Sequence, residues 1–301
     1  MTAERPAAAA AANAIVATDS VRHATLVIGQ ALRLAGIDGA ETDARFLVQG
    51  ILGLDPAALV RNPDQPIGAG AAKLEDAFRR RLAREPVSRI LGQREFYGRT
   101  FKVTPDVLDP RADTETLVDL VLDIVRGDPR FRDDITIADV GVGSGAIVVT
   151  LLAELAAAKG LAIDVSQAAL NVAADNARAH GVFERMTCQC TRGLQGITQP
   201  VDIIVSNPPY IATTEINVLD NDVRLYDPRL ALDGGQDGLQ IYREIASDIR
   251  SLQRGCWVVL EFGVGQASDV KGIFSQLDVR RTVTRADLGG HDRVVALEIH
   301  C

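Results

Sequence analysis

The tetrapeptide Asn207-Pro208-Pro209-Tyr210 directly follows the apolar run Val201-Asp202-Ile203-Ile204-Val205 and Ser206. The run reads as a buried strand and the two prolines stop it. Neither proline can donate a backbone hydrogen bond, and each fixes its own φ near about −65°. Pro209 also drives Pro208 toward an extended conformation. The product is a stiff turn at the carboxyl end of a strand, where open α/β sheets bind ligands. Such a turn holds the Asn207 side-chain oxygen and the Pro208 carbonyl in fixed directions. Two acceptors aimed at one point suit a planar NH2 group, and Tyr210 adds a flat face for a planar substrate. Taken alone, the same four residues serve equally as a tight turn closing on a buried aromatic.

A second element stands upstream. Asp139-Val140-Gly141-Val142-Gly143-Ser144-Gly145-Ala146 joins an apolar strand to a helix. Glycines let the backbone turn sharply and approach a ligand closely. The N–H groups of the following helix N-terminus favour a carboxylate. About 20 residues on, Asp164 closes the next strand, where a carboxylate accepts hydrogen bonds from a ribose diol. A nicotinamide dinucleotide also suits a glycine-rich turn. The spacing here is Gly-x-Gly-x-Gly, and with Asp139 two residues before Gly141 it looks more like a methyltransferase loop. Joined to Asn207, the pair of motifs resembles amino-methyltransferases that use S-adenosylmethionine.

The elements that position these residues follow from the rest of the chain. Its 301 residues fit about two domains, and 47% hydrophobic residues support a substantial core. A net charge of −8 argues against a surface built for nucleic acid. Cys188, Cys190, Cys256 and Cys301 lack metal-ligand spacing, so no metal site is expected. Cys188 and Cys190 alternate along a strand and read as core filling. The cysteine usage fits a reducing cytoplasm. No segment has the roughly 18 consecutive apolar residues of a membrane span.

Residues 1–18 read as a disordered extension, 19–88 as a helical substrate-recognition domain, 89–112 as a β-hairpin linker and 113–301 as the methyltransferase domain. In the helical part, Leu26, Ile28, Leu32 and Leu34 are expected near one helix face. Ala44, Phe46, Leu47, Ile51 and Leu52 mark a second helix stopped by Gly53, Asp55-Pro56 opens a third, and Leu74, Phe78 and Leu82 mark a longer one. Arg79, Arg80, Arg81, Arg84, Arg89 and Arg94 read as solvated surface, with an acidic or RNA-bound partner as the alternative. Glu95 to Val103, broken by Gly98, predicts the hairpin. From Ile135 onward strands and helices alternate. That pattern predicts an α/β Rossmann-like methyltransferase fold: a mostly parallel, doubly wound sheet with a C-terminal antiparallel hairpin.

Further segments narrow the resemblance. Glu85-Pro86-Val87, Ile90-Leu91-Gly92, Glu95-Phe96-Tyr97-Gly98, Pro110-Arg111, Asp113-Thr114-Glu115, Tyr226 to Gly235, Asp237-Gly238 and His291 to Val295 resemble the peptide chain release factor N5-glutamine methyltransferase family. The likeness runs from about residue 25 to the C-terminus. It implies methyl transfer to the glutamine side-chain amide in the Gly-Gly-Gln motif of bacterial release factors. It implies that Gly141, Val142, Gly143, Ser144, Gly145 and Asp164, with Asn207, hold S-adenosylmethionine. Asn207, Pro208, Pro209 and Tyr210 would receive the amide, and the helical domain would grip the release factor, with no membrane and no direct nucleic-acid partner. The chain departs from the family pattern at Asp109, Ala112 and Val142, and has Thr191-Arg192 where an acidic residue near adenine is usual. Arg192 either stacks on adenine or faces solvent. Two other readings share parts of the pattern: a nucleic-acid amino-methyltransferase, and a non-catalytic paralogue that binds a translation factor.

Overall fold

The computed structural model describes residues 15–131, 134–250, 252, 255–287 and 289–300. Residues 1–14 of the expected extension, and Cys301, lie outside them. The chain divides into two compact units between Gly92 and Gln93.

The first unit is helical: α1 Val21–Leu34, α2 Ala40–Leu52, α3 Pro56–Arg61, α4 Ala71–Leu82 and α5 Val87–Leu91. Local chemistry sets the ends. Ser20 Oγ accepts the His23 N–H at 3.1 Å and Asp55 Oδ1 the Ala58 N–H at 2.7 Å, each capping a helix start. Gly53 ends α2 in the left-handed region, at φ 63°. Ile28, Leu32, Leu47, Leu74 and Phe78 form the core. Ile15 is buried with them and donates its N–H to Glu75, and Ala17 accepts the Gly68 N–H. Residues 15–18, expected in the extension, therefore belong to this unit.

Three apolar residues expected on helix faces are instead exposed: Leu26, Leu34 and Phe46. Leu26 lies two positions before Ile28 and Leu34 two after Leu32, and residues two apart on a helix do not share a face. Phe46 turns outward beside buried Leu47 and takes the Arg45 guanidinium over its ring. The arginine stretch is not simply solvated either. Arg81 is buried and bonded to Asp43 at 2.7 Å, Arg80 makes two bonds to Glu85, and Arg84 donates to the carbonyls of Ala35 and Gly36. These cations fasten helix to helix within the unit.

The second unit opens with a hairpin, β1 Gln93–Phe96 and β2 Arg99–Lys102. Its two-residue turn holds Tyr97 at φ 52° and Gly98 at φ 68°, the geometry that matches strand twist. After it come α6 Glu115–Gly127, β3 Ile135–Val140, α7 Ala146–Glu154, β4 Ala158–Asp164, α8 Gln167–Ala179, β5 Met186–Cys190 and β6 Ile203–Ser206. The chain continues through α9 Asn221–Arg224, α10 Gln240–Ile249, β7 Cys256–Glu261, α11 Ala267–Phe274, β8 Asp278–Ala286 and β9 Asp292–His300.

The seven-stranded sheet has the order β5-β4-β3-β6-β7-β9-β8. Strands β3 to β7 are parallel, whereas β9 runs antiparallel to both β7 and β8. The fold is the doubly wound, Rossmann-like sheet with a terminal antiparallel hairpin that alternation predicts. Alternate strand residues pack into separate cores on the two faces, Ile137 and Val205 in one, Ala138 and Ile204 in the other. Cys188 and Cys190 are exposed, not core residues, because β5 is the edge strand and the core cover reaches Met186 but not them.

Phe96 and Phe101 sink the hairpin into the sheet unit's core. Asn176 of α8 secures it with three bonds: Oδ1 accepts the Lys102 N–H at 2.8 Å, and Nδ2 donates to the carbonyls of Lys102 at 3.1 Å and Ser144 at 2.8 Å. One buried amide thus ties the hairpin to the glycine loop. Asn176→Ala strands those groups and is expected to lower stability by about 2–4 kcal/mol, since each unsatisfied buried group costs about 1–3. A urea titration checks this as a lower midpoint at unchanged slope.

Candidate active site

The glycine loop begins where β3 ends. Gly141, Gly143 and Gly145 have φ of 77°, 52° and 81°, all in the region that favours glycine. The N–H groups of Gly141 and Val142 both donate to the Ile163 carbonyl, which folds the loop back on β4. A Cβ at Gly141 or Gly143 meets no protein atom within 4 Å, whereas at Gly145 it stands 3.1 Å from the Ala173 Cβ. The first two glycines leave room for a ligand. The third lets α7 approach α8.

Asp139 is buried beneath this loop. Its Oδ2 accepts the Val148 N–H at 3.2 Å and so caps α7, whose N-cap residue, Gly145, has no side chain to do so. Burial pushes its carboxyl up to about 7. Asp164 ends β4 with Oδ2 accepting the Gly143 N–H at 3.1 Å and Oδ1 the Ser166 N–H at 2.9 Å. Burial raises its pKa, and these backbone bonds oppose the rise. Asp164 also lines a cavity.

That cavity, of about 400 Å³, lies at the carboxyl ends of β3, β4 and β6. It brings together Gly141, Val142, Gly143, Ser144, Asp164, Arg192, Asn207, Pro208 and Pro209. The sheet's strand order reverses here, since β3 leads to β4 on one side and β6 lies on the other. Gly145 and Tyr210 are not in its wall. Arg192 is held by Glu244 through two bonds of 2.9 and 2.7 Å. Asp109 and Ile147 complete the wall near Arg111, which donates to buried Asp227 at 2.6 Å.

Asn207 Nδ2 donates to the Thr114 hydroxyl at 3.0 Å. Among the described residues no donor reaches Asn207 Oδ1 or the Pro208 carbonyl. Asn207 and Pro208, whose side-chain and main-chain oxygens thus meet no protein donor, both line the cavity that also contains the glycine loop. Tyr210, expected to offer a flat face to the substrate, packs its ring against Gly263 and the core behind the turn. Its carbonyl accepts the Gln266 amide at 3.0 Å, and burial raises the pKa of its hydroxyl.

The glycine-rich segment after α9 braces the same turn. Ile211 donates to the Leu232 carbonyl at 3.1 Å and accepts the Gly234 N–H at 2.8 Å. A Cβ at Gly234 falls 2.6 Å from the Pro209 carbonyl, and one at Gly238 collides with the Tyr210 carbonyl. The motif Asp233-Gly234-Gly235 with Asp237-Gly238 thus exists to let backbone lie on backbone.

Residue reasoning missed three groups beside Asn207: Thr114, Glu261 and Arg293. Glu261 is 1% exposed at the end of β7. The available signal was a lone acid closing the apolar run Trp257-Val258-Val259-Leu260. Arg293 of β9 donates to Asp287 at 3.0 Å and lies 3.6 Å from Asp113.

Gly238→Ala is expected to cost about 1–3 kcal/mol, as over-packing does, and to displace the turn. Methyl transfer should fall by more than a factor of ten while helical content by circular dichroism stays unchanged.

Comparison with known proteins gives the family. The PrmC N-terminal domain family matches residues 27–92 and the methyltransferase small domain family residues 121–224. A release factor glutamine methyltransferase of Cereibacter sphaeroides is 43% identical over 270 residues, covering 89% of this chain and 94% of its own. One from Agrobacterium fabrum is 40% identical, covering 88% and 92%. Among solved structures, the human Mettl16 catalytic domain in complex with a MAT2A 3'UTR hairpin superposes with a TM-score of 0.55 at 16% identity. It covers 77% of this chain and 82% of that one, a likeness of fold. No helix among the described residues is long and apolar enough to cross a membrane.

Proposed function

The chain belongs to the release factor glutamine methyltransferase family, and from that premise we propose that it transfers a methyl group from S-adenosylmethionine to the side-chain amide nitrogen, N5, of the glutamine in the Gly-Gly-Gln motif of bacterial release factors. The observation that carries the reading is that Asn207 and Pro208, whose side-chain and main-chain oxygens meet no donor among the described residues, line the cavity of the glycine loop.

The residues present fit the cofactor. Gly141 and Gly143 leave a cradle that a Cβ would fill, and the Asp164 carboxylate keeps lone pairs for a ribose diol. Val142, Ser144 and Gly145 complete the loop. Arg192, held by Glu244 through Nε and one terminal nitrogen, lines the cavity where its guanidinium plane and remaining N–H groups are available to adenine. Bound S-adenosylmethionine supplies an electrophilic methyl group on a sulfonium.

The rest is done by the chain. An amide nitrogen is a poor nucleophile because its lone pair is delocalised into the carbonyl. Asn207 Oδ1 and the Pro208 carbonyl accept its two N–H bonds and fix the plane of the group, which leaves the lone pair direction facing the methyl donor. Orientation of this kind lowers a barrier by about 7–11 kcal/mol at best. As the N–C bond forms, positive charge grows on nitrogen, and the two preorganised acceptor dipoles stabilise it. The methylated amide, acidic while its nitrogen is charged, then loses one N–H proton to water, since the amide oxygens of Asn207 and Pro208 are too weakly basic to keep it. Pro209 stiffens the turn, and Tyr210 anchors it from behind. The helical unit contributes the release-factor grip, and such a substrate places the enzyme in the cytoplasm.

Transfer of labelled methyl to a purified release factor, to its Gln→Ala variant and to bulk DNA plus RNA tests the assignment. Label on the wild-type factor alone is expected; label on nucleic acid instead overturns it. Asn207→Ala should lower transfer at least about 100-fold, as loss of one preorganised polar contact does, with cofactor binding within twofold. Asp164→Ala should weaken cofactor binding by about 10–100-fold, matching one charge-assisted bond of about 1.5–3 kcal/mol. Calorimetric titration separates the two roles.

A further inference from the structure

An asparagine presents its oxygen to a substrate only if something holds its NH2 group away. We propose that Glu261 is the positioning residue for Asn207, working with Thr114 to fix the amide with its oxygen toward the cavity. This rests on the amide-binding role given to Asn207 above.

The geometry is one hydrogen bond beside a buried acid. Asn207 Nδ2 donates to Thr114 Oγ1 at 3.0 Å, and Thr114 is 4% exposed. A hydroxyl has one proton, so Thr114, while accepting from Asn207, must give that proton to an acceptor. Glu261 lies beside both side chains, each of which favours its charged carboxylate, and its buried Oε2 has no hydrogen-bond partner among the described residues. Strand register supports the arrangement, since Ser206 of β6 pairs with Leu260 of β7 and the next residues on each strand are Asn207 and Glu261. The Glu261 main chain is pinned as well, because its carbonyl accepts the Tyr242 hydroxyl at 2.8 Å.

An ionised carboxylate only accepts. With Glu261 charged, Thr114 must donate toward it and therefore accept from Asn207, and the NH2 group of Asn207 turns inward. A flipped amide would set Oδ1 against the carboxylate, acceptor against acceptor. The buried negative charge also draws on the amide protons, so Oδ1 carries more electron density where positive charge develops on the substrate nitrogen. A neutral group at this position donates as well as accepts, and the selection is lost.

The surroundings decide when Glu261 is charged. Burial pushes it up to about 7, while the Thr114 and Asn207 side chains and the charge of Arg293 pull it down. Asp113, ahead of α6, raises it. Tyr210, after β6, and Tyr242, on α10, face it as neutral phenols. Arg293 on β9 divides its charge with Asp287. The orientation of Asn207 therefore strengthens as pH rises through the Glu261 titration.

The test uses the full-length protein with Glu261→Gln, Thr114→Val and Thr114→Ser. The Asn207 side-chain amide resonance, assigned by its loss in Asn207→Ala, is followed from pH 5.5 to 9. In the wild type it should shift with one titration, and in Glu261→Gln that titration should vanish. In methyl transfer, Glu261→Gln and Thr114→Val should each lower kcat by about 10–100-fold, as loss of a supporting partner does elsewhere. Cofactor Kd should stay within twofold, Thr114→Ser should restore activity, and the acidic limb of the kcat–pH profile should disappear in Glu261→Gln. A pH-independent Asn207 resonance, or kcat within threefold of wild type in Glu261→Gln or Thr114→Val, overturns the proposal. If Glu261→Gln does not fold, Thr114→Val and the wild-type resonance decide alone. The resonance needs no methyl acceptor, so failure of the release-factor assignment is read separately.

Discussion

Two consecutive prolines remove two backbone N–H groups from the turn after β6, so its surroundings must hold it. The structure supplies support from every side. Ser206 Oγ donates to the Val140 carbonyl at 2.6 Å, tying the end of β6 to the end of β3. Gly234 and Gly238 let another segment press against the carbonyls of Pro209 and Tyr210. Gln266 takes the Tyr210 carbonyl and its own Oε1 accepts the Gly263 N–H at 2.9 Å. The cavity, the loop packing and the buried acid near Asn207 all depend on this one stretch keeping its shape.

Electrostatics is organised in the same place. Asp139, Asp164 and Glu261 lie at or near the carboxyl ends of β3, β4 and β7, and burial raises all three. Each has a different task. Asp139 caps a helix, Asp164 takes up loop N–H groups while facing the cavity, and Glu261 stands behind Asn207. Parallel strands ending at one rim can present several carboxylates to one site without joining them into a metal-binding cluster; among the described residues no such cluster occurs.

Much of this was legible in the sequence because it rested on local rules. Glycine spacing, the proline turn, the Gly98 hairpin and the strand–helix alternation each specify backbone directly. What failed was what depends on neighbours distant in sequence. Cys188 and Cys190 alternate as core residues do, but strand order made β5 an edge. Leu26 and Leu34 are apolar at positions where no partner helix arrives. Arg81 sits in a charge run yet is buried, because Asp43, far away in sequence, lies opposite. Thr114, inside a motif, and Glu261, a lone acid after an apolar run, gave no sign of acting together, since their roles arise only when the segment before α6, β6 and β7 are brought side by side. Tyr210 belongs to the right motif but supports the turn instead of lining the cavity.

The position of β9 bears on how the protein comes into being on a ribosome. Made after every other described strand, it lies inside the sheet between β7 and β8, pairing with β7 from Cys256 to Glu261. It also delivers Arg293 to the neighbourhood of Glu261. Chain emergence usually lets sequence be folded in order, but here β7 stays a bare edge until residues 292–300 arrive. The charge that faces Glu261 from β9 thus arrives only after all the other described strands have been made.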